Sequence, residues 1–329
     1  GDSPGWQPQD LVGRLTGARE AAETAGAEWV DFSEGVEFEA PAGRIAKRFR
    51  FAKSLAETDL LVSLPKLKTH QLMYYTGAIK NLFGLVPGLE KSAFHLRFPG
   101  RAEFATMLAD LVLAARPDFS LMDAVVAMEG PGPNNGRPRR LGLVMASRDP
   151  LALDWSAAGL IGYEPRQIAY LAELMDRLAA ARAAPGGEPR QAGTRAAAGE
   201  GTAFRRGAGL PEWAASPADI AVAGVAVAEA KPDSFELVPV LGKNDFLAEK
   251  LPPWLHRLVK GFMVPRPRFI DAKCVACAGC VRICPAKALE LAPGRAGKRR
   301  VKLDHEACIR CYCCHEICPE DAIALVRRP

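Results

Sequence analysis

All nine cysteines of this 329-residue chain fall between positions 274 and 318, and eight of them form two runs with the same spacing. The first run is Cys274, Cys277, Cys280 and Cys284, and the second, 34 residues later, is Cys308, Cys311, Cys314 and Cys318. Each run reads C-x2-C-x2-C-x3-C-P. Three thiolates at this spacing hold three iron atoms of one 4Fe-4S cube, and the fourth thiolate binds the other cube. The spacing therefore predicts two 4Fe-4S clusters.

The distance that one cysteine loop can span decides which thiolates share a cluster. A tight loop wraps only three corners of a cube, so the fourth ligand must come from the other run. One cluster is then expected to take Cys274, Cys277, Cys280 and Cys318, and the other Cys308, Cys311, Cys314 and Cys284. Cys313 is left over. We expect it to be a packed neighbour of a cluster, because a free cysteine behaves as a small hydrophobic residue.

Zinc and disulfide bonds are the alternatives for cysteines at this density. Zinc sites are usually built from two separated C-x2-C pairs around one tetrahedral ion, whereas each run here has three cysteines at x2 spacing and a proline after the fourth. Disulfides need an oxidising compartment, and cysteines confined to one end of a long chain are untypical of a secreted scaffold. Clusters are favoured, with a reducing, low-oxygen setting and a cytoplasmic location expected.

Charge and hydropathy limit the partners. The net charge is +5, and part of it lies between the two cysteine runs. The residues concerned are Arg295, Lys298, Arg299, Arg300 and Lys302. They favour stabilisation of anionic clusters or steering of an acidic redox partner protein; no nucleic-acid motif accompanies them, so nucleic acid is not expected. No apolar run reaches 18 residues, and no membrane span is expected.

Apolar runs alternate with helical patterns before the cysteines. This rhythm predicts an α/β domain with a mostly parallel sheet. Helices are predicted over 101–115 and 165–184, and strands over 59–64, 119–128, 141–146 and 220–227. Asp149 and Pro150 have the residue types of a helix N-cap and first helical position, so Asp149 is given a structural role.

Composition divides the chain into three parts. We expect the α/β domain over 1–250, a linker over 251–267, and a small α+β two-cluster domain over 268–329. Residues 185–215 are mostly Ala, Gly, Arg and Pro without periodicity, which predicts a flexible insertion. An amphipathic stretch at 251–264 is expected to pack against the larger domain, although it also has the pattern of a membrane-surface helix.

A Lys-x-Lys-x-His cluster follows the predicted strand at 59–64. Its members are Lys66, Lys68 and His70, and Lys80 and Asn81 come soon after. Strand ends face the ligand crevice of an open α/β sheet, so the lysines are expected to bind an anion, His70 to deliver a proton, and Asn81 to orient a carbonyl or carboxylate. The alternative is a set of solvated loop cations with one hydrogen-bonded histidine.

Glu129 ends the predicted strand at 119–128 and precedes a loop rich in Gly, Pro and Asn over 130–136. Its position makes it a candidate for chemistry, and a surface carboxylate is the equally simple alternative. The loop matches neither the Walker nor the dinucleotide fingerprint. A phosphate-binding role for it is therefore the weaker interpretation.

Several of these segments together resemble the domain-of-unknown-function family 362. They are Leu-Pro-Lys-Leu-Lys-Thr-His at 64–70, Thr-Gly-Ala-Ile-Lys-Asn-Leu-Phe-Gly at 76–84, Glu-Gly at 129–130 and Ala-Ser-Arg-Asp-Pro at 146–150. Members often carry a C-terminal two-cluster ferredoxin like the one at 308–319, and begin with further elements before a Gly-Asp-Ser-Pro-Gly turn. The resemblance implies an iron-sulfur protein, a reductase, and suggests that an N-terminal part is missing.

Two functions from different classes remain open. In the first, the clusters relay electrons from a ferredoxin-like partner to an anionic small molecule in the strand-end crevice, as a ferredoxin-type iron-sulfur reductase. In the second, the chain is a non-catalytic electron-transfer or cofactor- or metal-centre-assembly protein, for which a large exposed apolar patch is the expected sign. An additional cofactor in the large domain, a metal or a flavin, is a third expectation, because single electrons often need a centre that pairs them.

Overall fold

The structure is a computed structural model and describes residues 1–5, 7–88, 90–184, 210–240, 264–294 and 299–326. Most of the predicted linker at 251–267 and most of the predicted insertion at 185–215 lie outside these residues. In the ranges that the structure describes, each helix is too short or too polar to cross a bilayer.

Strands and helices alternate along the chain. The strands are β1 (Gly35–Glu39), β2 (Arg48–Ala52), β3 (Val62–Ser63), β4 (Lys66–His70), β5 (Tyr74–Thr76), β6 (Phe119–Glu129), β7 (Arg137–Ser147), β8 (Arg266–Phe269), β9 (Leu289–Pro293), β10 (Arg299–Leu303) and β11 (Ile323–Val326). The helices are α1 (Gln9–Leu15), α2 (Ala18–Thr24), α3 (Ser54–Glu57), α4 (Ala78–Asn81), α5 (Glu90–Arg97), α6 (Arg101–Ala115), α7 (Pro150–Ile161), α8 (Ala169–Ala183), α9 (Val227–Ala230), α10 (Gly279–Ile283) and α11 (Cys313–Ile317). Short 3-10 turns occupy Leu82–Leu85, Pro165–Gln167 and Pro217–Asp219.

The main sheet is mixed, so the expectation of a mostly parallel sheet was too strong. Strand β6 pairs in parallel with β3 and β4, whereas β4–β5 and β6–β7 are antiparallel. The connections explain the difference. A short turn joins β4 to β5 and a seven-residue loop joins β6 to β7, and connections so short bring the chain back antiparallel.

One face of the sheet packs on helices, and the other is open. Along β6 the side chains of Met122 and Ala124 are fully buried, while Leu121 and Val125 on the opposite face are exposed. Helix α6 is buried on nearly every side, as a helix that is mostly apolar all round should be. The α/β core therefore lies on the helical side of the sheet.

Three local predictions need correction. Residues 220–227 form no strand; Gly224 turns with φ 93°, and Val222 and Val225 are exposed. In the segment 59–64 only β3 is a strand, and its Val62 is exposed. The end of the predicted insertion is packed, because Trp213 is buried and its carbonyl accepts a hydrogen bond from Arg182.

The N-cap prediction is confirmed. Asp149 precedes α7, and its carboxylate accepts hydrogen bonds from the backbone N–H groups of Leu151 and Ala152. The same carboxylate also accepts from the N–H of Ala214. Asp149 therefore both begins α7 and holds the segment that follows the undescribed stretch.

Candidate functional site at the junction with the cysteine runs

The 34-residue repeat of the cysteines is repeated in the backbone. Non-glycine residues with positive φ occur in pairs at that spacing. The pairs are Ala276 (56°) with Arg310 (58°), Ala278 (61°) with Tyr312 (65°), and Lys287 (49°) with Asp321 (44°). Left-handed backbone is uncommon outside glycine, so its recurrence at three equivalent positions shows that both runs make the same loop. Each loop ends in a short helix, α10 or α11.

The strands that flank the loops connect the two halves. Strand β8, before the first run, pairs with β11, after the second; β9, after the first run, pairs with β10, before the second. This exchange brings the fourth cysteine of each run back towards the other run. It gives the cysteine-rich region an α+β organisation.

Cys318 lies among the thiols of the first run. Burial raises the pKa of Cys280 to about 11, and the neighbouring charges that act in the same direction are those of Cys277, Cys274 and Cys318. The sulfur of Cys318 accepts a hydrogen bond of 3.3 Å from the N–H of Ala322. Cys318 thus lies near the thiols of the first run, and its assignment to the first cluster stays a prediction.

Cys284 occupies the equivalent place in the second run. Burial raises the pKa of Cys308, with Cys311 and Cys284 as its neighbouring thiols. The sulfur of Cys284 accepts from the N–H of Ala288, also at 3.3 Å. Hydrogen bonds to cluster sulfurs help to set the reduction potential. All nine thiols are free, so the donor set suits thiolate-ligated iron-sulfur clusters.

A cavity of about 510 Å³ lies between the α/β core and the second cysteine loop. Its charged and polar lining comprises Asp2, Lys66, Lys68, Lys80, Asn81, Lys91, His95, Cys313 and Glu316. The four lysines come from β4, α4 and α5, whereas Cys313 and Glu316 come from α11. The predicted Lys66, Lys68, Lys80 and Asn81 are therefore brought together, and a helix that carries Cys314, a predicted cluster ligand, forms the opposite wall.

The lysines of this cavity are partly desolvated. Burial lowers the pKa of Lys80, while the nearby Glu316 and Cys313 act in the opposite direction. Burial also lowers the pKa of Lys68, as does its neighbour Lys66. In the described residues neither Lys68 nor Lys80 makes a salt bridge or hydrogen bond through its amine. Two partly buried amines without a protein partner among the described residues indicate space for an anion.

Lys66 stands at the exposed edge of the cavity. Its amine pairs with Asp123 at 2.5 Å, and both side chains are about half exposed. The pair spans the parallel strands β4 and β6. Because this charge already has a partner, Lys66 contributes less to anion binding than Lys68 and Lys80.

His70 is buried beside the cavity, and its tautomer is determined by its contacts. Its Nδ1 accepts hydrogen bonds from the backbone N–H groups of Leu72 and Met73 at 3.1 and 3.3 Å. The proton of the neutral ring is therefore on Nε2, which lies 3.5 Å from Oε1 of Glu316. Burial holds the pKa of His70 well below its usual range, with Lys80 as the next cause. His70 is thus a neutral contact to Glu316, a role different from the predicted delivery of a proton.

Asp154 holds the turn that presents Lys80. Asp154 lies on α7. Its carboxylate accepts hydrogen bonds from the N–H groups of Ala78 and Ile79, at 2.6 and 2.9 Å, and from the Tyr75 hydroxyl at 3.1 Å. Gly77 is needed at this point, since a Cβ there would lie 2.2 Å from the Asp154 carboxylate. Gly77 thus allows the backbone to approach the Asp154 side chain closely.

The loop at 130–136 connects the two walls. Nδ2 of Asn134 donates to the carbonyl of Glu316 at 2.5 Å, and Nδ2 of Asn135 donates to the carbonyl of His315 at 3.2 Å. Thr69 Oγ1 in turn donates to the carbonyl of Gly130. The loop at 130–136 therefore uses the side-chain amides of Asn134 and Asn135 to hold α11 against the α/β core.

Two predicted residues have other partners. Glu129 is absent from the cavity lining, and its Oε2 accepts from the N–H of Glu236 at 3.0 Å. Asn81 lines the cavity, but its amide nitrogen donates to Ser63 Oγ at 3.1 Å. Glu129 thus lies apart from the lysines, and Asn81 keeps its carbonyl oxygen and one N–H of its amide for a ligand.

Three members of the site were missed from the sequence. Lys91 and His95 are four residues apart on α5 and so share one helical face, a spacing that was available as a signal. Burial lowers the pKa of Lys91 to about 8 and that of His95 to about 3. Glu316, whose pKa burial raises to about 7, had no sequence signal, because its neighbours come from distant parts of the chain.

Comparison with known proteins agrees with both parts of the molecule. Residues 1–159 match the family described as Domain of unknown function (DUF362), and residues 273–322 match the 4Fe-4S dicluster domain. The thylakoid-associated protein sll1697 of Synechocystis sp. is 39% identical over 124 residues, which cover 37% of this chain and 39% of that relative. No solved structure matches the chain.

The family matches coincide with the segments that carry the site. The lysine motif, the loop at 130–136 and Asp154 lie inside the first matched range, and every predicted ligand cysteine lies inside the second. The expected resemblance to the domain-of-unknown-function family 362, with a C-terminal 4Fe-4S dicluster domain, is confirmed by these two matches.

Proposed function

We propose that this protein is an iron-sulfur oxidoreductase in which two 4Fe-4S clusters relay electrons to an anionic small molecule in the cavity. Electrons enter from a ferredoxin-like redox partner and leave through the cluster held by the second cysteine run. Lys68 and Lys80 bind the anion. A reducing compartment such as the cytoplasm is part of this proposal, since the clusters require free thiolates.

One observation carries the proposal. The cavity has lysines of the α/β core on one side and, on the other, the helix α11 with Cys313 and Glu316. Cys314, a predicted cluster ligand, belongs to the same helix. A molecule held by Lys80 would therefore be close to the second cluster. A protein that only carried electrons between partners would have no need for partner-free lysines at this place.

The test is reoxidation of the reduced protein. The full chain, prepared anaerobically and reduced with dithionite, is mixed after removal of the reductant with 2-oxo carboxylates, unsaturated carboxylates and oxyanions of nitrogen and sulfur. An acceptor that reoxidises the wild type should react about tenfold more slowly with Lys80→Met, because one charge contact of about 1.4 kcal/mol is lost. Lys53→Met is the control, since Lys53 makes only an exposed ion pair. Equal rates for the two variants would refute the proposal.

A second candidate is supported by the open face of the sheet. On that face Val62 is 50% exposed, Val144 is 61% exposed and Leu121 is 39% exposed. Exposed apolar patches often mark protein–protein contacts. If the chain is a non-catalytic electron-transfer or assembly protein that docks there, Val144→Glu should slow exchange of electrons with its protein partner, whereas Lys80→Met should not.

A further inference from the structure

His95 is a buried polar side chain without a protein partner. Its exposed fraction is 8%, and its ring stacks on Phe104 with centroids 4.5 Å apart and planes 11° apart. Among the described residues no group hydrogen-bonds to either ring nitrogen. The ring lines the same cavity as Lys80 and Lys91. A buried imidazole normally finds a hydrogen-bond partner, so the missing partner indicates a ligand.

The protonation state of His95 determines which groups of a ligand can form a hydrogen bond with its ring. Burial lowers its pKa to about 3, and the charge of Lys80 acts in the same direction. The ring is therefore neutral at physiological pH, with one N–H to donate and one lone pair to accept. It can donate a hydrogen bond to a carbonyl or exchange one with a hydroxyl, while the lysines bind an acid group.

The charges of the cavity wall limit the number of acid groups. Lys66 is paired with Asp123 and Lys91 donates to the carbonyl of Ser3, which leaves Lys68 and Lys80 to bind an acid group. A second acid group would share the cavity with the carboxylate of Asp2 and would be buried without a counter-charge.

We propose that the cavity binds a 2-oxo or 2-hydroxy carboxylic acid, with its single acid group held by the lysines and its neutral oxygen hydrogen-bonded to His95. This inference rests on the proposed function, because it names the class of the anionic ligand. His95 is a ligand-binding residue in this view. Its stacking on Phe104 fixes the plane in which the hydrogen bond is made.

Probes that differ only at C2 test the inference. The anaerobically reconstituted full chain is titrated calorimetrically with hexanoate, 2-oxohexanoate and 2-hydroxyhexanoate, and with adipate as a two-acid probe. The wild type should bind 2-oxohexanoate or 2-hydroxyhexanoate about tenfold more tightly than hexanoate, the size of one net hydrogen bond. Adipate should bind no more tightly than hexanoate.

Variants separate the two contacts. His95→Phe keeps a ring to stack on Phe104 and should make the oxygenated acids bind like hexanoate, with hexanoate itself unchanged. His95→Gln keeps an N–H donor and should recover part of the preference. Lys80→Met should weaken all three acids about tenfold, by loss of one charge contact.

Several results would overturn the inference. They are equal binding of the three acids by the wild type, an unchanged preference in His95→Phe, tighter binding of adipate, and no saturable binding of any probe. The proposed function is tested separately. If the preference for oxygenated acids is found but no acceptor reoxidises the reduced clusters, this inference stands and the electron-delivery proposal fails.

Discussion

Nε2 of His70 lies 3.5 Å from Oε1 of Glu316, which joins the end of a core strand to the helix of the second cysteine run. The ring is held from the other side by the N–H groups of Leu72 and Met73. Oε1 of Glu316 makes no hydrogen bond within the described residues, so the contact to His70 is a close approach rather than a bond. This contact brings α11 next to the strand that carries Lys68.

Replacement of His70 should loosen this junction. His70→Leu leaves two backbone N–H groups buried without an acceptor, at a cost of about 1 to 3 kcal/mol each, and removes the contact to Glu316. We expect faster hydrogen exchange at residues 72–73 and 313–317. Exposed His305 provides the control His305→Leu, which should exchange like the wild type. Unchanged protection of 313–317 in His70→Leu would show that the contact does not hold α11.

The ligand assignment predicts unequal effects of two cysteine substitutions. Cys284→Ser removes a ligand of the second cluster and should lower the iron and sulfide content by about one 4Fe-4S cluster. Cys313→Ser should keep both clusters, because Cys313 is a buried neighbour and is not one of the eight cysteines that form the two runs. Iron and sulfide analysis with EPR of the anaerobically purified protein checks both variants. Loss of a cluster in Cys313→Ser would make Cys313 a ligand.

Asp154 should make stability depend on pH. Burial raises its pKa to about 7 from a model-compound value of 3.8, so between these values the folded state binds more protons than the unfolded state. The free energy of unfolding should therefore fall as the pH rises from about 4 to about 7. Denaturant unfolding of the wild type and Asp154→Asn across this range measures the effect. The variant should lack this component, and identical slopes would contradict the assignment.

A buried ion pair should dominate the stability of the helical layer. Asp110 is fully buried, pairs with Arg177 at 2.5 Å, and accepts from the N–H groups of Arg44, Ile45 and Ala46. Asp110→Ala leaves the buried Arg177 with only its pair to Glu173 and three backbone N–H groups without their acceptor, so we expect a loss of about 3 to 5 kcal/mol. Chemical denaturation measures the change. Glu37→Ala, which breaks the exposed pair with Arg48, should cost less than about 1 kcal/mol.

The cluster site could be predicted from the sequence because thiolate spacing depends on local geometry. A tight loop with three cysteines at x2 spacing has few other uses, and the 34-residue repeat extends to the backbone angles of Ala278 and Tyr312. The N-cap at Asp149 was predictable for the same reason, since its two capping hydrogen bonds come from residues only two and three positions ahead.

The rest of the cavity depends on contacts that are distant in sequence. Glu316 meets His70 across 246 residues, and no local pattern connects them. Glu129 was a reasonable candidate at a strand end, but its carboxylate is used by the backbone of Glu236. The sheet was expected to be mostly parallel because apolar runs do not reveal the direction of a strand; the short connections decide it.

The most direct test of the account is the reduction potential of each cluster with and without an anion in the cavity. EPR-monitored titration of the full chain is made with and without saturating 2-oxohexanoate, in the wild type and in Lys80→Met. The account predicts that the anion lowers the potential of one cluster, that held by the second run, and that Lys80→Met abolishes the response. A wild-type response that is absent, equal at both clusters, or retained in Lys80→Met would contradict it.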